Sequence, residues 1–185
     1  HHARNITRTM GARLAAVSDP APAALNRACE DFDVPGYADY RQMLQEDAID
    51  AFVVATPTQT HYRVLMDVIQ TKKPIFVEKP ITFTVEEAKE IVHVVETENI
   101  YLQVGFMRRF DPGHTAAKAM IASGACGAPI YLHDCQRDPA GPPPAYVPQS
   151  GGLFVDMGIH DLDVARWLMG SEITQIYAQG AVLKH

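Results

Sequence analysis

Up to Gly105 the chain alternates between short unbroken apolar runs and longer stretches whose apolar residues recur at helical spacing. The runs Ala12–Ser18 (ARLAAVS), Ala48–Ala55 (AIDAFVVA), Pro74–Val77 and Ile100–Val104 are too short for stable helices and read as buried strands. Between them, Pro22–Cys29, Tyr37–Glu46 and His61–Gln70 read as helices. The last of these carries Val64, Leu65, Val68 and Ile69 on one stripe. Thr84 followed by Glu87 is a capping-box pattern, and it opens a further helix running to about Glu96. Strand and helix in alternation predict a parallel sheet with helices on its faces.

The pattern changes after Gly105. Pro112–Ser123 reads as a helix, Pro129–Cys135 as a strand, Leu153–Met169 as a helix and Ile173–Leu183 as a strand. A first domain over 1–105 and the start of a second α/β domain over 106–185 are therefore expected. Residues 138–152 (DPAGPPPAYVPQSGG) are rich in proline and glycine. Such a segment beside a packed core is either a lid or substrate wall, or a surface excursion.

Composition narrows the function classes. With 47% hydrophobic residues the chain has the material for a core, so disorder is not expected. The net charge of −6 is scattered, without a Lys/Arg cluster interleaved with aromatics, which argues against nucleic acid and against an anionic membrane as partners. No apolar run approaches the length of a membrane span. Cys29, Cys126 and Cys135 lack CxxC spacing and are odd in number, which fits packing thiols in a reducing, cytoplasmic compartment.

Ligands of open parallel sheets bind beyond the carboxyl ends of the strands, and polar features cluster there. Asp19 ends one strand. It is either a turn aspartate or a carboxylate that accepts from ribose hydroxyls and repels a 2′-phosphate, favouring NAD over NADP. Thr56-Pro57-Thr58, Glu78-Lys79-Pro80 and the segment Gly105–Arg109 occupy the other ends. A lysine held near a hydroxyl and a positive nicotinamide ring can share in proton transfer, and Pro80 restricts the backbone that aims Lys79. Asp156, His160 and Asp163 fall at i, i+4 and i+7, one face of a helix, where carboxylates can orient a histidine. The alternative is a core histidine beside acids that favour the helix N-terminus. No cysteine lies at a compatible spacing, so no metal is expected.

At these segments the sequence resembles the glucose-fructose oxidoreductase and inositol dehydrogenase family, often written Gfo/Idh/MocA. The resemblance is carried by AAVSDP (15–20), FVVATPTQTHY (52–62), PIFVEKPI (74–81), VGFMRRFDPG (104–113) and SGGLFVDMGIHDLDVARWLMG (150–170). It implies an α/β chain with a Rossmann NAD-binding domain over 1–105, followed by part of an α/β substrate domain with an open sheet. It also implies oxidation of a ring hydroxyl of inositol, or of a related polyol or sugar, by hydride transfer to NAD. The complete protein is then expected to be a homodimer or homotetramer.

By motif, Lys79, Asp156 and His160 are the implied catalytic residues, with His160 as proton acceptor, Asp156 orienting it and Lys79 polarising the hydroxyl. Met107, Arg108, Asp138 and Asp163 are implied substrate contacts. Asp19, Ala55, Thr56, Pro57, His61, Glu78, Lys79 and Gly105 match cofactor-side positions. Two other activities share this resemblance: a non-catalytic sugar sensor of the same fold, and an NAD-dependent glycoside hydrolase.

The family begins with a strand and a GxGxxG/A turn that seats the pyrophosphate, and the 185 residues contain no such turn. His2-Ala3-Arg4-Asn5-Ile6 resembles the helix that follows it. The chain is accordingly expected to be a segment of a longer enzyme, with weak or no NAD affinity if taken alone.

Overall fold

The computed structural model describes residues 1–137 and 139–181. The chain divides into two compact units, His1–Gly105 and Phe106–His185. In the first, the elements run α1 (His2–Arg8), β1 (Val17–Ser18), α2 (Pro22–Phe32), β2 (Gly36–Tyr37), α3 (Tyr40–Met43), β3 (Phe52–Val54), α4 (Thr58–Ile69), β4 (Ile75–Val77), α5 (Val85–Thr97) and β5 (Leu102–Val104). Every strand pair is parallel. β1 pairs with β2, and β3, β4 and β5 form a separate sheet with Phe52 opposite Ile75 and Ile75 opposite Leu102.

The core forms where apolar stripes meet. Phe52 and Val54 of β3, together with Ile75 and Val77 of β4, pack against Val64, Leu65, Val68 and Ile69 of α4 and Ile91 of α5. All eleven residues of this cluster are apolar and buried, so packing rather than helix propensity holds α4 and α5 in place. The capping box is formed in full: Thr84 Oγ1 accepts from the Glu87 amide, and Glu87 Oε2 accepts from the Thr84 amide, each at 3.2 Å. Val53, expected inside a fully buried strand, is exposed on the opposite face of β3. β1 is shorter than the run Ala12–Ser18, because a strand lasts only as long as its ladder and β2 offers just Gly36 and Tyr37 as partners.

The second unit opens with a 3₁₀ turn (Met107–Phe110), followed by α6 (Pro112–Ala122), a 3₁₀ turn (Val147–Gln149), a π-helical turn (Phe154–Gly158) and α7 (Ile159–Met169). Asp111 caps α6, with Oδ1 accepting from the amides of Gly113 and His114, and Pro112 occupies the first turn, where its missing N–H costs nothing. The His114 amide first, then that of Gly113, holds the Asp111 carboxyl below its usual range. Gly170 ends α7 with φ +65°, the left-handed conformation a glycine adopts without strain. Two expectations fail here. Residues 129–135 and 173–181 are not strands, since neither has a ladder partner among the described residues, and positions 182–183 of the second expected strand lie outside them.

Candidate functional site

In the first unit the polar loops gather at the carboxyl ends of the parallel strands. Asp19 lies just past β1, where its Oδ1 accepts from the Ala21 amide at 2.8 Å and its own amide donates to the Tyr37 carbonyl. It thus makes a turn with one oxygen of a half-exposed carboxylate. Ala55, Thr56 and Pro57 follow β3 and are exposed.

His61, one turn into α4, is only 1% exposed. Its Nε2 lies 2.8 Å from the Thr56 carbonyl and its Nδ1 lies 2.9 Å from the Pro80 carbonyl. The ring is a strut between two strand-end loops rather than a group facing outward.

Glu78 follows β4, with its amide bound to the Val54 carbonyl. Oε1 lies 2.6 Å from His2 Nε2, and Oε2 accepts from the Lys79 amide at 3.3 Å. The His2 ring also rests on Phe76, with centroids 5.4 Å apart. Gly105 sits beneath this group: a Cβ there would lie 3.0 Å from Phe76 Cζ and 3.1 Å from Glu78 Oε2. The Lys79–Pro80 peptide is cis. Half-buried Lys79 has its backbone held on both sides by hydrogen bonds, by Glu78 before it and by the His61-held Pro80 carbonyl after it. The backbone that carries this side chain is thereby preorganised.

In the second unit, Asp156 lies in the π-helical turn that leads into α7. Its amide donates to the Gly152 carbonyl, and its Oδ1 accepts from the Tyr146 hydroxyl at 2.9 Å. His160, Asp163, Val164 and Leu168 form the buried face of α7.

The three acids around His160 have different partners. Asp163 is 5% exposed and takes a bidentate pair from Arg109, Nε to Oδ2 at 2.8 Å and Nη2 to Oδ1 at 2.7 Å. The Arg109 guanidinium also lies 5.9 Å from the Trp167 ring centroid. Arg108 donates to Asp161 Oδ1 at 2.7 Å, with Asp134 Oδ2 3.8 Å away. Partial burial first, then the Asp134 charge, pushes the Asp161 carboxyl above its usual range. Met107 is 67% exposed. Asp138, an expected substrate contact, lies outside the described residues.

Tyr146, Arg109, Asp161 and His2 were not singled out from the sequence. The adjacent pair Arg108-Arg109, facing Asp161 and Asp163 at matching short spacing, is the one local signal that points to two of them. Among the described residues no group of three or more His, Cys, Asp or Glu is placed to hold a metal ion, and no helix is long and apolar enough to cross a membrane.

A parallel α/β unit with its polar loops at the strand ends has the make-up of a dinucleotide-binding fold. Residues 1–106 match the oxidoreductase family with an NAD-binding Rossmann fold, and residues 114–185 match the GFO/IDH/MocA C-terminal domain. The chain belongs to this Gfo/Idh/MocA family.

It is 38% identical over 187 residues to the scyllo-inositol 2-dehydrogenase (NAD(+)) of Bacillus subtilis strain 168, covering 100% of this chain and 55% of that protein. A solved structure described as a "probable dehydrogenase" from Thermotoga maritima superposes with a TM-score of 0.89 at 34% identity, over 93% of this chain and 52% of that one. The scyllo-inositol dehydrogenase of Lactobacillus casei with bound NAD(H) and scyllo-inositol gives 0.75 at 30% identity, over 91% and 52%. The chain thus spans about half the length of the relatives it matches.

Proposed function

We propose that this chain is part of an NAD-dependent dehydrogenase that oxidises a ring hydroxyl of an inositol or a closely related polyol. The observation that carries the reading is the reach of the similarity. The inositol dehydrogenase of Bacillus subtilis matches all of this chain, so the candidate residues of each unit lie within the matched region.

The residues present suit the dinucleotide. Asp19 retains a half-exposed carboxylate at the end of β1 to accept from ribose hydroxyls, and its charge disfavours a 2′-phosphate. Exposed Thr56 and Pro57 offer a wall, and the missing Cβ of Gly105 keeps the Glu78 carboxylate seated beside Lys79. When bound, NAD supplies the acceptor for the hydride that leaves the carbinol carbon. The chain's own groups manage the proton. His160 takes it from the hydroxyl, Asp156 orients the imidazole and the substrate, and Lys79 polarises the reacting oxygen. Cytoplasmic location fits the free thiols of Cys29, Cys126 and Cys135, and the complete protein is read as a homodimer or homotetramer.

The test is turnover by the complete gene product, followed as reduced-nicotinamide absorbance with scyllo-inositol or myo-inositol and NAD. Lys79→Ala and His160→Ala are each expected to lower kcat by roughly a hundredfold or more. Unchanged rates in both variants would overturn the assignment of the site.

A further inference from the structure

We propose that Tyr146 is a positioning residue of this dehydrogenase, tying the proline-rich segment to the Asp156 carboxylate and so setting how that carboxylate presents to His160 and the substrate. The inference rests on the reaction proposed above.

The segment is internally braced. The Tyr146 amide donates to the Pro143 carbonyl, and the Ser150 hydroxyl donates to the Val147 carbonyl. The Gly152 amide returns to Ser150 Oγ, and the Gly152 carbonyl receives the Asp156 amide. Gly151 and Gly152 have φ of +78° and +85°, so the chain reverses there as only glycine does without strain. Backbone and side-chain bonds thus link Val147, Ser150, Gly152 and Asp156 in turn, and the hydroxyl of the adjacent Tyr146 closes the loop by donating to Asp156 Oδ1 at 2.9 Å.

A carboxylate has two oxygens, and a donor fixed on one of them sets the rotation that aims the other. Tyr146 itself is 44% exposed, too open to be an ordinary core residue, yet its hydroxyl is committed to the carboxylate. Partial burial and the bond to Asp156 both hold its phenol above the ordinary value of 10.0. The segment left open by the sequence as either wall or excursion is on this view part of the site's support.

The experiment uses the complete gene product and two readouts. Tyr146→Phe removes the hydroxyl and keeps the ring. Its kcat is expected to fall roughly ten- to hundredfold while KM for the polyol stays within about threefold, as for loss of orientation without loss of binding. The second readout needs no turnover. The Tyr146 phenol is isolated as the tyrosinate absorbance difference between proteins with Tyr and with Phe at 146, and its titration is expected to move to lower pH in Asp156→Asn.

Wild-type kcat in Tyr146→Phe, equal losses in kcat and in folded fraction, or an unmoved phenol titration would each overturn the inference. A wild-type protein that turns over no polyol sinks the proposed reaction and the inference together. Activity lost in His160→Ala but kept in Tyr146→Phe sinks the inference alone.

Discussion

Truncating Arg109 tests what holds the histidine-bearing helix in place. Asp163 is 5% exposed, and both its oxygens are taken by one guanidinium at 2.7 and 2.8 Å. Arg109→Met keeps an apolar stem against Trp167 but leaves a buried carboxylate without its counter-charge. Breaking a fully buried pair this way costs about 3–5 kcal/mol. The Arg109 side chain is 39% exposed, so water enters the vacated space and solvates part of the charge, which brings the expected cost to about 2–3 kcal/mol. The contact to Trp167, at 5.9 Å, adds at most about 0.5 kcal/mol.

The loss should appear as local opening of α7, read by hydrogen exchange of the amides in Ile159–Met169. At about 1.4 kcal/mol per tenfold, exchange there accelerates by a factor of roughly 30 to 150. Asp163→Asn leaves only a half-exposed arginine to rehydrate and costs about 1 kcal/mol. The double variant should fall short of the sum by about 1–2 kcal/mol. The adjacent carboxylate raises the Arg109 pKa further, so the guanidinium stays charged across the working pH range and pH adjustment cannot mimic its removal. Acceleration below about threefold, or strictly additive effects, would refute the account of Asp163 as a buried, paired carboxylate.

Gly105→Ala places a Cβ 3.1 Å from Glu78 Oε2 and 3.0 Å from Phe76 Cζ, so both side chains must give by a few tenths of an ångström beside the Lys79 amide. NAD affinity of the complete gene product, measured by titration calorimetry, is expected to weaken severalfold with a stability loss of about 1 kcal/mol. His61→Phe fills the same space but removes the ring nitrogens that face the Thr56 and Pro80 carbonyls. Urea unfolding should report a loss of about 1–3 kcal/mol, and His61→Gln, which keeps a donor, should recover part of it. Asp111 has its folded pKa lowered from 3.8, so its capping contribution is fully present above that value and is lost as pH falls through the lowered folded value. Acid titrations followed by circular dichroism should show a weaker dependence in that window for Asp111→Asn.

Local physics decided which elements could be read from the sequence. α5 is announced by Thr84 and Glu87, residues three apart that satisfy each other's amides, and α4 by a four-residue apolar stripe with one sheet to bury it. Residues 129–135 and 173–181 carry strand-forming side chains, but strand formation is a property of pairs, and no described segment pairs with them. The supports of Lys79 escaped notice for the same reason. His2 meets Glu78 across 76 positions and His61 meets Pro80 across 19, distances over which spacing says nothing.

The face formed by Asp156, His160 and Asp163 shows where spacing reaches its limit. Periodicity treats the three as equivalent positions on one continuous helix, yet Asp156 stands in a wider π-helical turn and Asp163 in regular α-helix. What separates their chemistry is the partner each one meets. Asp163 is neutralised in the core by Arg109, Asp161 shares Arg108 with Asp134, and Asp156 accepts a neutral hydroxyl from Tyr146. A carboxylate fully engaged by a guanidinium holds a helix in place but has little left to offer a polyol. A phenol donor, by contrast, brings no counter-charge to the carboxylate it meets. The bidentate pair with Arg109 therefore makes Asp163 a brace of α7, the helix that also carries His160.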